Sequence, residues 1–249
     1  MKDIHGSFDQ LPDSIKHGKL HLLNREIPIR KQVEYFKFSL RTNKKRGDTP
    51  ISDEECETLC QRLDDPMESN EDKKNILAWL ARSKNAKSFR FLQAYAESAS
   101  EELKDWAEMA LLECKIVLES EFSREPQIYV SCGLGGKGYK LRFSVMVLSN
   151  HLLPFQPYQR EILEREMEFA LQQVDGELEE ITFDSEYAIF MILLPFQTMI
   201  TQVVNRAIEE CNQYGDFLMK QVAISNVERF TEEHARKAIQ KYENDPTSY

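Results

Sequence analysis

The stretch whose composition comes nearest to chemistry is Gly133-Leu134-Gly135-Gly136-Lys137-Gly138. A lysine among glycines suits phosphate, because backbone N–H groups can close around the anion. The context points elsewhere. A phosphate loop leads from a strand into a helix and ends in Lys followed by Ser or Thr, whereas Lys137 precedes Gly138 and strand-like runs lie on both sides. Glycines at this density serve a tight hairpin with positive φ. The expectation is therefore a hairpin turn, with Gly135, Gly136, Lys137 and Gly138 as the place where a ligand or a partner's backbone comes close.

Other reactive residue types are scattered. Cys56 and Cys60 share a helix face four residues apart, which is half of a metal site, but no His or Cys pair elsewhere has the complementary spacing. His5, His17 and His21 fall in an N-terminal arm and read as exposed polar residues; His151 and His234 have no triad partner in their surroundings. The carboxylates between Glu161 and Glu186 sit on the outer face of an amphipathic helix, where solvation is the expected state. No catalytic residue, metal or cofactor follows from these patterns.

A reversal of charge is more informative. The chain has a formal charge of −10, yet Arg25, Arg30, Lys31, Lys37, Arg41, Lys44, Lys45 and Arg46 crowd one segment against only Glu26 and Glu34. Tyr35 and Phe36 lie among them, so Arg30, Lys31, Lys37, Arg41, Lys44, Lys45 and Arg46 form a candidate surface for a protein partner or a phosphate backbone. Arg82, Lys84, Lys87 and Arg90 would extend it. The competing expectation is that these cations meet the chain's own acidic surface or stay solvated.

Length and composition bound the rest. A chain of 249 residues with 41% hydrophobic and 30% charged residues suits two ordinary soluble domains. The polar start Met1-Lys2-Asp3-Ile4-His5 lacks the apolar core of an export signal, and five dispersed cysteines fit reduced thiols. A cytoplasmic location is expected. The longest apolar run, Tyr187 to Phe196, is about half of the ~20 residues a membrane span requires, so no membrane partner is expected.

The elements that carry these residues divide into three stretches. Residues 1–24 read as a flexible arm with a short helix from Pro12 to Lys16. Residues 25–123 read as an α-helical domain: Ile29, Val33, Phe36 and Leu40 make one apolar stripe facing a core, and Ser52 with Glu55 forms a capping box that opens the next helix. Three more helices follow, marked by Ile76/Leu77/Leu80, Phe89/Leu92/Ala96 and Leu103 to Leu118. Residues 127–249 read as an α+β domain in which Ile128 to Cys132 and the alternating Tyr139 to Leu148 form a hairpin across the glycines.

That last domain carries an internal duplication. Leu152-Leu153-Pro154-Phe155-Gln156 recurs as Leu193-Leu194-Pro195-Phe196-Gln197, and a shift of 41 superimposes 152–183 on 193–224 without a gap. Each copy follows an apolar strand and opens a helix: Tyr158 to Val174, with Ile162, Leu163, Met167 and Phe169 inward, then Thr198 to Gln213. Matching strands, 178–183 and 217–224, follow these helices, and a last helix begins near Thr231. Both faces of Tyr187 to Leu194 are apolar, which places that strand inside a covered sheet.

Two resemblances arise at the level of fold. Ala78-Trp79-Leu80-Ala81 and Ala110-Leu111-Leu112-Glu113 occupy comparable helix positions, so residues 50–120 resemble HEAT-like repeats, with a plain helical bundle as the alternative. The order strand, helix, strand, strand, helix, strand over 139–225 resembles the ferredoxin-like sandwich with an antiparallel sheet. That arrangement flanks its first strand on both sides, which leaves Ile128 to Cys132 without a slot. The fold class expected is α+β in two domains. Stacked repeats and open sheet edges imply a non-enzymatic binding or scaffold protein that meets a protein partner or itself. An RNA- or ribosome-associated factor using 30–46, and an enzyme with a pocket between the domains near 133–138, are the other two expectations. No small-molecule ligand is named by the sequence.

Overall fold

The structure is a computed structural model that describes residues 19–47, 51–123, 125 and 127–244. The expected helix Pro12 to Lys16, with His5 and His17, lies outside them. The protein is mixed α+β, with eight α-helices and an antiparallel sheet among the described residues. Contacts divide the chain after Ser131 into two compact units.

The first unit is helical. It contains β1 (Lys19–His21), α1 (Ile29–Arg46), α2 (Asp53–Asp64), α3 (Asn70–Ala81), α4 (Ala86–Ser98), α5 (Glu101–Phe122) and β2 (Gln127–Tyr129). Its helix starts follow their local chemistry. Ser52 accepts from Glu55 N at 3.1 Å, Ser69 from Asp72 N at 3.1 Å and Asn85 from Lys87 N at 2.8 Å, each satisfying a first-turn N–H that the helix leaves unpaired. α3 is the hub. It touches α1, α2, α4 and α5, and Ile76, Leu77, Leu80 and Ala81 join Leu59, Leu63, Leu92, Ala107 and Ala110 in one core.

α1 follows its expected stripe only in part: Ile29 and Phe36 are half-buried, Phe36 against the core, but the other two positions turn outward. Val33 is 44% exposed and Leu40 58%, while Gln32, Tyr35, Ser39 and Thr42 are buried. The buried polar face is satisfied by partners distant in sequence. Tyr35 and Ser39 donate their hydroxyls to Glu113 Oε2 at 2.9 and 2.7 Å. Gln32 donates to Ile27 O at 2.6 Å and accepts from Tyr129 at 2.5 Å and Ser131 at 2.7 Å. A fully bonded polar network is stable in a core and specific in geometry.

Two other expectations are corrected in this unit. Lys19–His21 is not part of an arm: it pairs in parallel with Gln127–Tyr129, and His21 is buried with Nε2 2.6 Å from Gln127 Oε1. The segment beginning at Ile128 therefore forms no hairpin with 139–148. That removes the strand for which the sheet had no slot.

The second unit holds β3 (Gly136–Lys137), β4 (Lys140–Ser149), α6 (Pro157–Gln172), β5 (Glu177–Phe183), β6 (Tyr187–Pro195), α7 (Ile200–Asn212), β7 (Leu218–Ser225) and α8 (Glu232–Asn244). The strand order is β5-β6-β4-β7 with every pair antiparallel, and the two residues of β3 extend the β7 side of β4. As its apolar faces imply, β6 is an inner strand. Met146, Leu148, Tyr187 and Ile189 meet Ala235 of α8 on one face. On the other, Phe190, Ile192 and Leu194 are fully buried, and Leu171 of α6 closes on Leu194 around Gly176.

The duplication holds from helix to strand and fails before it. Shifting α6 and β5 by 41 reproduces α7 and β7 to within two residues at each end, and Asp175 and Asp216, one shift apart, both turn the chain with positive φ. The two pentapeptides differ. Leu193-Leu194-Pro195 ends β6 in the core, whereas Leu152 closes a short 3-10 turn beyond β4 and Leu153 is 63% exposed. Phe169, expected inward, is 51% exposed; Leu163, Met167, Ala170 and Leu171 form the buried face of α6.

Candidate partner-binding site

The glycine-rich candidate forms a tight hairpin. Gly136 and Lys137 pair with Leu141 and Lys140, and Gly138, at φ +63°, makes the turn. A side chain at Gly133 would meet the Val227 carbonyl oxygen 1.7 Å from its Cβ, so glycine is required there by close approach. Lys137 bridges to Glu177 at 3.1 Å, Lys140 to Glu177 at 2.8 Å and Asp175 at 3.2 Å, and Arg142 clasps Glu179 with two N–H groups. Three cations face three carboxylates. This leaves no excess of positive charge to draw a phosphate.

The basic segment fares differently. α1 presents Arg30, Lys31, Lys37, Arg41, Lys44 and Lys45 to solvent and half-buries Arg46. Lys31 is held by Asp105 at 2.5 Å and Arg46 by Glu55 at 2.6 Å; among the described residues no ion pair engages Arg30, Lys37, Arg41, Lys44 or Lys45. The outward row Val33, Lys37, Leu40, Lys44 alternates apolar and cationic side chains along one face.

The C-terminal end of this row opens into a groove of about 920 Å³. It is lined by Leu40, Lys44 and Arg46 of α1, by Trp79 and Arg82 at the end of α3, and by Val117 and Glu121 of α5. Local chain geometry sets the rim. Gly47 ends α1 at φ +82°, and Lys84, at φ +56° after α3, reaches Glu121 at 2.5 Å. Arg46 lies over the Trp79 ring with 5.4 Å between guanidinium carbon and centroid, a cation–π arrangement. Arg82 reaches Glu113 at a long 3.5 Å.

Glu113 links the groove to the core. Burial pushes its carboxyl pKa upward, while the Ser39 and Tyr35 hydroxyls and Arg82 pull it back. Tyr35 is driven well above the usual phenol range by burial and by the Glu113 charge. The orientation of α1, and with it the exposure of Leu40 and Lys44, rests on this bonded node.

The groove sets cationic side chains beside apolar ones. Of the expected surface, only Lys44 and Arg46 reach the groove; Arg82 and Lys84 join them, whereas Lys87 is occupied by Asp53 and Glu57 at 2.9 and 3.0 Å. Trp79, Val117, Ser120 and Glu121 carried no sequence signal for this role, because three helices bring them together. Other reactive types do not converge. Among the described residues no group of three or more His, Cys, Asp or Glu side chains could hold a metal ion, and burial pushes the Cys60 and Cys114 thiols up to about 12, which suppresses the nucleophilic thiolate. No helix of the described residues is long and apolar enough to cross a membrane.

No protein-family model and no curated protein matches the chain. Among solved structures it is similar to a putative transposase from Deinococcus radiodurans, at 16% identity and TM-score 0.33 over 44% of this chain and 95% of that one. It is similar also to a REP-associated tyrosine transposase bound to a REP hairpin, at 12% identity and TM-score 0.32 over 49% and 72% of the two chains. A homoserine dehydrogenase from Thiobacillus denitrificans follows at 9% identity and TM-score 0.25, over 51% and 29%. At these scores no residue role passes to this chain.

Proposed function

We propose that this chain is a non-enzymatic cytoplasmic binding protein that acts through protein–protein contact, with the groove of the helical unit as its docking site. The observation that carries the reading is the groove itself: Lys44, which no ion pair engages among the described residues, converges with Arg46, Arg82 and Lys84, each shared with one carboxylate, beside exposed Leu40 in a protein whose formal charge is −10. A partner segment with acidic and apolar side chains complements those walls in both respects. RNA complements them less well. Single-stranded nucleic acid is gripped by stacking on open aromatic faces, and the Trp79 ring is covered by Arg46.

The same reading extends to the architecture. The helical unit is read as HEAT-like, since α2 to α5 stack around α3 and leave an extended surface, and the sheet unit as ferredoxin-like, on the order β5-β6-β4-β7 with helices between its outer and inner strands.

The test is recovery of partners from native lysate on tagged wild type and on Leu40→Glu, with and without nuclease. A defined protein retained by wild type, resistant to nuclease and lost with Leu40→Glu, is the expected result. Recovery that disappears with nuclease in wild type overturns the protein–protein reading in favour of RNA.

A further inference from the structure

Two side chains that line the groove, Arg46 and Trp79, each bury one N–H that has no acceptor among the described residues. Arg46 gives Nη2 to Glu55 Oε1, but its Nε is buried without a partner, and so is Trp79 Nε1 on the neighbouring side chain. Burying an unbonded donor is costly, and native proteins pair all but a few such groups. Two such side chains, in cation–π contact and both lining a groove of about 920 Å³, mark a position for an acceptor supplied from outside the chain.

We infer that this position receives a carboxylate of an acidic peptide segment, with Arg46 and Trp79 as its donors. The inference rests on the docking reading above and specifies its chemistry. A carboxylate is favoured over a neutral acceptor by its surroundings. Among the described residues Lys44 has no ion pair, and Arg82 shares Glu113 at 3.5 Å with two hydroxyls that sit closer. Charge-assisted bonds to an anion are about twice as strong as neutral ones. Leu40, Ile51 and Val117 also line the groove, which suits an anion carried by a chain with apolar neighbours, such as a peptide of acidic and leucine-like residues, better than a bare phosphate.

Both donors lie below the surface that water reaches, so the acceptor meets them as Arg46 turns from Glu55. Glu55, half-buried, is thus an internal competitor for the same guanidinium. Its removal without loss of fold should strengthen binding.

The experiment follows the two indole N–H resonances of the full chain by ¹H–¹⁵N NMR, assigned with Trp79→Phe. The probes are a short peptide alternating Glu and Leu, its Gln–Leu counterpart, inorganic phosphate and a uridine-rich RNA. The Glu–Leu peptide should shift the Trp79 indole resonance saturably and leave that of Trp106 in place. Its affinity should fall about tenfold in Arg46→Lys, which keeps the charge but loses the planar fork, and rise about threefold in Glu55→Gln. No movement of the Trp79 indole with the Glu–Leu peptide, or equal movement with phosphate or RNA, overturns the carboxylate assignment. If backbone resonances around Leu40 respond to both peptides while the indole stays still, docking stands and the carboxylate position falls; if neither responds, both fall.

Discussion

Replacing Tyr35 by Phe tests whether the orientation of α1 rests on hydrogen bonds to a buried carboxylate. The substitution keeps the ring, which meets Trp106 edge-on at 5.4 Å, and removes one donor from Glu113 Oε2. Because burial raises the Glu113 pKa in the folded chain, the native state holds this proton more tightly than the unfolded state. Its contribution to stability is therefore greatest below the unfolded value and declines as pH rises through the folded one. The Tyr35 hydroxyl opposes that decline, since it favours the ionised form. Its loss should cost about 2 kcal/mol near pH 8, the size of a bond to a charged group, and about 1 kcal/mol near pH 4, where the partner is a neutral acid. With a urea slope of about 1.5 kcal/mol/M, the midpoint should drop by about 1.3 M and about 0.7 M respectively. Fluorescence isolates the transition, because both tryptophans, Trp79 and Trp106, lie in the helical unit. An equal drop at the two pH values, or a larger one in acid, would refute the reasoning that the Tyr35 hydroxyl favours the ionised form of Glu113.

Two further outcomes concern the sheet unit and are read by far-UV circular dichroism in urea. Gly133→Ala should destabilise it by about 3 kcal/mol or more, because the obstacle to the new Cβ is the backbone carbonyl of Val227, which no side-chain rotation relieves; an unchanged midpoint would contradict the close approach. Asn212→Ala should cost about 2 kcal/mol, since its side chain both donates to Leu218 O at 2.9 Å and accepts from Leu218 N at 2.8 Å, and its loss leaves two backbone groups unpaired where β7 begins. A loss no larger than that of an exposed control, Gln221→Ala, would show that water replaces both bonds.

What the sequence determined by itself is local or repeated. Ser52 before Asp53-Glu54-Glu55 announces a helix start, and the side chain accepts where a first-turn N–H must be satisfied. The 41-residue shift carries α6 and β5 onto α7 and β7, down to the paired left-handed turns at Asp175 and Asp216, because turn chemistry and helix period act over a few residues. The two-sided apolar run of β6 likewise shows its inner place in the sheet without reference to any partner. Tertiary structure decided the rest. Apolar spacing placed Val33 and Leu40 inward, yet α1 turns Tyr35 and Ser39 to the core, since a buried hydroxyl row is stable once Glu113, 78 and 74 residues away, accepts from it. Parallel pairing with Lys19–His21 likewise drew β2 away from the glycines. The groove has the same origin. Lys44 and Arg46 were visible as a cationic run, but their convergence with Trp79, Arg82 and Val117 depends on how three helices pack, and packing between distant segments is a property of the whole fold and not of any window of the chain.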